Sequence, residues 1–201
     1  DVLGLALNLY NHVEMKLSPH GLLIEVEGEG QANIPTDDTN IVYRAACKVW
    51  NRCGFTYPGI HIKLSNNIPL ARGLGSSAAA ITGGIVAANA LAGYPLSTEE
   101  LLKLAIEFEG HPDNVAPALL GGLVMSIVDG DEIYSHKVEV KQDIQIGAII
   151  PHFPLSTKAG RRLLPKQVLL EDAVYNISRT AFLVTAFLQN RFDLLQHGMQ
   201  D

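Results

Sequence analysis

The stretch that most constrains this chain is Pro69-Leu-Ala-Arg-Gly-Leu-Gly-Ser-Ser-Ala-Ala-Ala80, a glycine-serine turn running straight into alanines. Gly73 and Gly75 permit positive φ and carry no Cβ that would hold a phosphate off the backbone. Ser76 and Ser77 fall where a helix begins and its first N–H groups are unpaired, and Ala78, Ala79 and Ala80 favour that helix strongly. A helix N-terminus behind such a turn gathers partial positive charge and takes anions, most often phosphate. The stretch therefore predicts nucleotide binding.

Three kinds of nucleotide loop compete. A Walker-type loop needs a lysine after its second glycine, and none occurs between Lys63 and Lys103. Gly73, Gly75 and Ala78 satisfy the dinucleotide spacing, but that loop must follow a strand directly. Here the strand-like run from Ile60 to Leu64 ends nine residues before Gly73. A protein-kinase loop leads into a strand, whereas this one leads into a helix. The structural alternative is a small-residue helix packed tightly on a neighbour, with Gly83, Gly84, Ala87 and Ala88 as the contact stripe.

Over 201 residues, 47% hydrophobic content can fill a substantial core. The net charge of −6 argues against nucleic acid or an anionic membrane as partner. Cys47 and Cys53 stand without companions at zinc-ligand spacing, and so few cysteines suit a reducing, cytoplasmic setting. No apolar run reaches membrane-spanning length.

The residue pattern predicts a strand over 21–27, a helix from Thr39 or Asn40 to Trp50, and a half-buried strand over 60–64 with His61 facing solvent. Helices follow from Ser76 to Ala92, from the capping box at Ser97 and Glu100 to Glu109, and from Asp113 or Asn114 to Leu120. Residues 123–128, 133–140 and 144–150 read as an antiparallel meander, and 171–188 as an amphipathic helix. The class is α+β, with a domain boundary expected near Pro151.

The loop resembles the signature of the GHMP small-molecule kinases, and further segments narrow the likeness to homoserine kinases. These are Asp1-Val-Leu-Gly-Leu-Ala-Leu-Asn-Leu-Tyr10, Asn33-Ile-Pro-Thr-Asp-Asp-Thr-Asn40, Glu109-Gly-His-Pro-Asp-Asn-Val-Ala-Pro-Ala-Leu-Leu-Gly-Gly122 and Ser156-Thr-Lys-Ala-Gly-Arg161. The resemblance implies an S5-domain-2-like N-terminal domain over 1–150 and the start of a ferredoxin-like C-terminal domain over 151–201. It also implies an internal piece of the enzyme, lacking both ends, inactive alone and with apolar surface left bare. A homodimer is left open.

The same resemblance implies ATP and Mg²⁺ as cofactors and L-homoserine as the acceptor, in threonine biosynthesis. ATP would lie on Pro69, Leu70, Ala71, Arg72, Gly73, Leu74, Gly75, Ser76, Ser77, Ala78 and Ala79, with Asn40 at the adenine pocket. Ser77 and Glu109 match the family's metal pair, with Glu107 as rival. Asp113 and Asp1 would take the acceptor's amine and Arg161 its carboxylate, with His111 and Thr157 beside them. Without the family, Ser77 and Asp113 are helix caps, His111 a turn residue and Glu109 a solvated carboxylate set against the helix dipole. Another small alcohol as acceptor, or a non-catalytic module of the same fold, are the competing readings.

Overall fold

The computed structural model describes residues 3–130, 132–140, 144–150, 160 and 162–200, so the expected site residues Asp1, Thr157 and Arg161 lie outside the described residues. In chain order the elements are β1 (Leu3–Leu5), β2 (His12–Leu17), β3 (Gly21–Gly28), α1 (Ile41–Cys53), β4 (Gly59–Asn66), α2 (Ser76–Leu91), α3 (Thr98–Glu109), α4 (Pro112–Leu120), β5 (Leu123–Asp129), β6 (Glu132–Val138) and α5 (Leu170–Leu188). A 3₁₀ turn at Phe192–Leu194 leads into the short α6 (Leu195–Gly198). None of the described helices is long and apolar enough to cross a membrane.

One sheet has the order β2-β4-β3, with β2 antiparallel and β3 parallel to β4. The parallel pair needs a crossover, and α1 supplies it. Ile60, Ile62 and Leu64 alternate inward along β4, while His61 turns outward and meets Glu25 across the sheet at 2.7 Å. The second sheet has the order β1-β5-β6, antiparallel throughout. β1 and β2 are too short, or too mixed in polarity, to be read locally, and they are defined by pairing partners about 50 to 120 residues away in sequence.

The helices α1 and α2 pack at close range. A Cβ on Gly84 would stand 2.6 Å from the Val42 carbonyl oxygen, and the Trp50 indole N–H donates to the Ala88 carbonyl at 3.2 Å. Part of the small-residue stripe is therefore a packing surface as well as the continuation of the loop helix. Gly83 turns the other way, towards Val13 of β2. Trp50, Ile60, Ile62, Ile81 and Ile85 are buried here, each burial contributing about 1.5–3 kcal/mol. A smaller core joins Leu123 and Val138 of the second sheet to Phe187 of α5.

The helix ends follow the sequence closely. Asn40 caps α1 through Oδ1, which accepts from the Val42 and Tyr43 amides at 2.9 and 3.3 Å. Gly54 closes α1 in the left-handed region at φ 68°, so the helix runs on to Cys53 rather than ending at the expected Trp50. Just before the cap, the Thr39 hydroxyl and amide both donate to Asp37 Oδ1, at 2.5 and 3.0 Å, holding that carboxyl below its usual range. A carboxyl lowered by folding stabilises the fold above its unfolded pKa, and the effect fades as pH falls through the lower folded value. At neutral pH this turn is intact.

Two expectations are corrected. Residues 144–150 form no strand: β6 stays at an edge of its sheet, Ile144 packs on the smaller core, and Ile146, Ile149 and Ile150 are exposed, Ile149 at 99%. The short helix opens at Pro112 with His111 in the cap position, so Asp113 lies inside its first turn rather than capping it. Proline suits that first position because its missing N–H would have had no helical partner. On α5, Leu170, Val174 and Ile177 are exposed.

Candidate nucleotide and acceptor site

The glycine turn adopts the backbone its sequence requires. Gly73 and Gly75 sit at φ 74° and 72°. Ala71, which has a Cβ, is also held left-handed at φ 53°, at a cost of about 1–2 kcal/mol. Gly75 is the N-cap of α2 and no side chain caps that end; the first helical bond runs from the Ala79 amide to the Gly75 carbonyl at 2.9 Å. Consequently the amides of Ser76, Ser77 and Ala78 stand at the positive end of a 16-residue helix as anion donors.

The two serines divide their work. Ser76 is buried and its hydroxyl donates to the Ile68 carbonyl at 3.3 Å, closing the loop on itself. Ser77 is exposed, and its hydroxyl donates to Glu109 Oε2 at 3.4 Å. Since Gly75 is the cap, the reading of Ser77 as a helix cap is excluded. Ala78 is buried in the core, so only its backbone can face a ligand.

Glu109 reaches Ser77 because α3 is placed against α2. Asn89 of α2 clamps the intervening turn in both directions, its amide donating to the Leu96 carbonyl and its oxygen accepting from the Leu96 amide, each at 3.0 Å. The Ser97–Glu100 capping box then starts α3, whose far end returns to the start of α2. Glu107, two residues earlier on α3, is exposed on another side of the helix.

Hard oxygen donors suit Mg²⁺, which takes one or two protein oxygens with phosphate and water completing an octahedron. Ser77 and Glu109 fit that pattern: two adjacent ligands at about 2.1 Å from one ion stand about 3 Å apart, and these oxygens are 3.4 Å apart. Glu109→Gln in the full-length protein is expected to raise the Mg²⁺ concentration needed for half-maximal activity about tenfold or more, while Glu107→Gln leaves it unchanged. A magnesium titration of both variants checks this, and the opposite pattern transfers the role to Glu107.

Beside the turn opens a cavity of about 840 Å³ between residues 3–11, α2 and α4, with Gly73, Gly75, Asp113 and Asn114 on its wall. Asp113 Oδ1 takes a short hydrogen bond from His111 Nδ1 and another from Asn114 Nδ2 at 3.2 Å. His111 is not part of the cavity wall and touches it through Asp113. The strand β1 presses on this corner: a Cβ on Gly4 would fall 2.0 Å from the Asp113 carbonyl oxygen. Asn114, which sequence reasoning missed, stands 3.3 Å from where a Gly75 Cβ would be. Asn40 is fully buried, its oxygen used in the cap and its amide donating to the Pro35 carbonyl at 2.6 Å.

A helix start with uncapped amides, a hydroxyl–carboxylate pair at its mouth and a cavity alongside with Asp113 on its wall suit a nucleotide and a small acceptor. Residues 40–122 match the family model of the GHMP kinases N terminal domain. Over its whole length the chain is 48% identical to homoserine kinase of Carboxydothermus hydrogenoformans and 45% identical to that of Desulfitobacterium hafniense, covering 66% and 67% of those proteins. A crystal structure of homoserine kinase from Cytophaga hutchinsonii superposes with a TM-score of 0.83 at 32% identity, over all of this chain and 66% of that one. The chain belongs to the homoserine kinase family, and spans about two thirds of the length of the relatives it matches.

Proposed function

We propose that the protein containing this chain transfers the γ-phosphoryl group of ATP to the hydroxyl of L-homoserine, giving O-phospho-L-homoserine for threonine synthesis. The observation that carries this reading is the meeting of Ser77 and Glu109 at the uncapped start of α2, beside the cavity walled by Asp113. Identity of 45–48% to homoserine kinases over all of this chain supports the choice of acceptor.

In this reading residues 69–79 cradle the phosphates, chiefly through backbone N–H groups. Asn40 serves by fixing the turn before α1 rather than by a side-chain contact to adenine, because its polar atoms are already engaged. A Mg²⁺ ion held by Ser77 and Glu109 would neutralise charge on the β- and γ-phosphates. Asp113 takes the acceptor's ammonium together with Asp1, and His111 steadies Asp113. Arg161 takes the acceptor's carboxylate, with Thr157 nearby. The hydroxyl oxygen bonds to the γ-phosphorus as the bond to the bridging oxygen breaks, ADP leaves, and the hydroxyl proton passes to phosphate or water. Phosphoryl transfer depends mostly on positioning and electrostatics, so a dedicated base is not required.

The test is ADP release from MgATP by the full-length protein against a panel of alcohols. L-homoserine should drive it strongly, and mevalonate and sugars should not. Turnover with another alcohol alone would overturn the acceptor, and no turnover with any would favour a non-catalytic module.

A further inference from the structure

We propose that Asn11 is a positioning residue for the nucleotide loop; the inference rests on the proposed function for what the loop binds. Asn11 immediately precedes β2, whose ladder with β4 ends at the pair His12 and Ser65. Beyond that pair the backbone ladder stops, and the Asn11 side chain supplies the next rung. Its Oδ1 accepts from two successive amides, Asn67 at 2.9 Å and Ile68 at 3.0 Å. Asn67 answers by donating its side-chain amide to the Tyr10 carbonyl at 3.0 Å.

Ile68 is thereby held from both sides. Its amide is bound by Asn11, and its carbonyl accepts from Ser76 at the far end of the loop. Everything between them, residues 69–75, is the turn that delivers the free amides of α2. Ile68 is only 4% exposed, so water is a poor substitute partner for an amide released there. The turn also holds Ala71 in a strained conformation, which persists only where its surroundings impose it. An oxygen acceptor at position 11 is thus what fixes where the phosphate donors point.

The experiment uses the full-length protein and three variants. Asn11→Ala removes the acceptor, Asn11→Asp keeps an acceptor oxygen in nearly the same place, and Asn67→Ala removes only the answering bond to Tyr10. Asn11→Ala should speed amide hydrogen exchange at Ile68 and the loop about tenfold or more, and weaken MgADP binding about tenfold. Asn11→Asp should restore both to within about threefold of the parent, and Asn67→Ala should fall between. Parent-like exchange and MgADP affinity in Asn11→Ala would overturn the proposal. So would an Asn11→Asp as impaired as the alanine variant. Exchange needs no nucleotide. If the parent itself bound no MgADP, the proposed function would fall while exchange at Ile68 still judged the clamp.

Discussion

Ser77→Ala in the full-length protein should lower kcat about a hundredfold while changing nucleotide affinity far less. The oxygen lost is one of the two proposed to hold the cation, and charge neutralisation at the phosphates matters most in the transition state. Anion binding by the amides of residues 76–78 survives the substitution, because it uses the backbone. The fold should survive as well. Ser77 is exposed, α2 begins without a side-chain cap, and alanine favours a helix more than serine does. Steady-state kinetics at saturating Mg²⁺, with a melting curve as control, check this, and an unchanged kcat would remove Ser77 from the metal site.

Arg161→Lys is expected to raise the homoserine KM roughly ten- to hundredfold with the ATP KM little changed. Lysine keeps the charge but loses the planar fork that grips a carboxylate at two points, a difference of about 1–3 kcal/mol. The neighbouring Arg162 is exposed. Arg162→Lys should therefore leave both constants near the parent. If Arg162→Lys carried the effect instead, the assignment along this segment would be off by one; if neither did, homoserine would be the wrong acceptor.

What the sequence made legible was local. The Asn40 cap, the Ser97–Glu100 box and the positive φ at Gly73 and Gly75 each depend on residues within a few positions of one another, and all are present. The burial of Ile60, Ile62 and Leu64 followed from alternation alone. Other features depend on what lies across the fold. Nothing near Leu3 or His12 indicates that they pair with Met125 and Ser65. The alternating apolar residues at 144–150 would need to pair along an edge such as that of β6 to become a strand, and alternation alone does not say whether they do.

The site divides in the same way. Ser77 and Glu109 were singled out on family resemblance, and their meeting depends on the Asn89 clamp that folds α3 back along α2. Ser76 and Ser77 look alike in sequence, yet one faces inward and the other outward, because consecutive helical residues are about 100° apart. Asn11 and Asn114 gave no local signal, since their importance lies in contacts with Ile68 and Gly75.

The most direct test of the whole account is a crystal structure of the full-length protein with MgADP and L-homoserine. The account predicts the β-phosphate on the amides of residues 76–78, the cation bound by Ser77 and Glu109, and the homoserine ammonium on Asp113 with its hydroxyl turned towards the phosphates. Phosphates bound away from the start of α2, or a cation held by neither Ser77 nor Glu109, would contradict it.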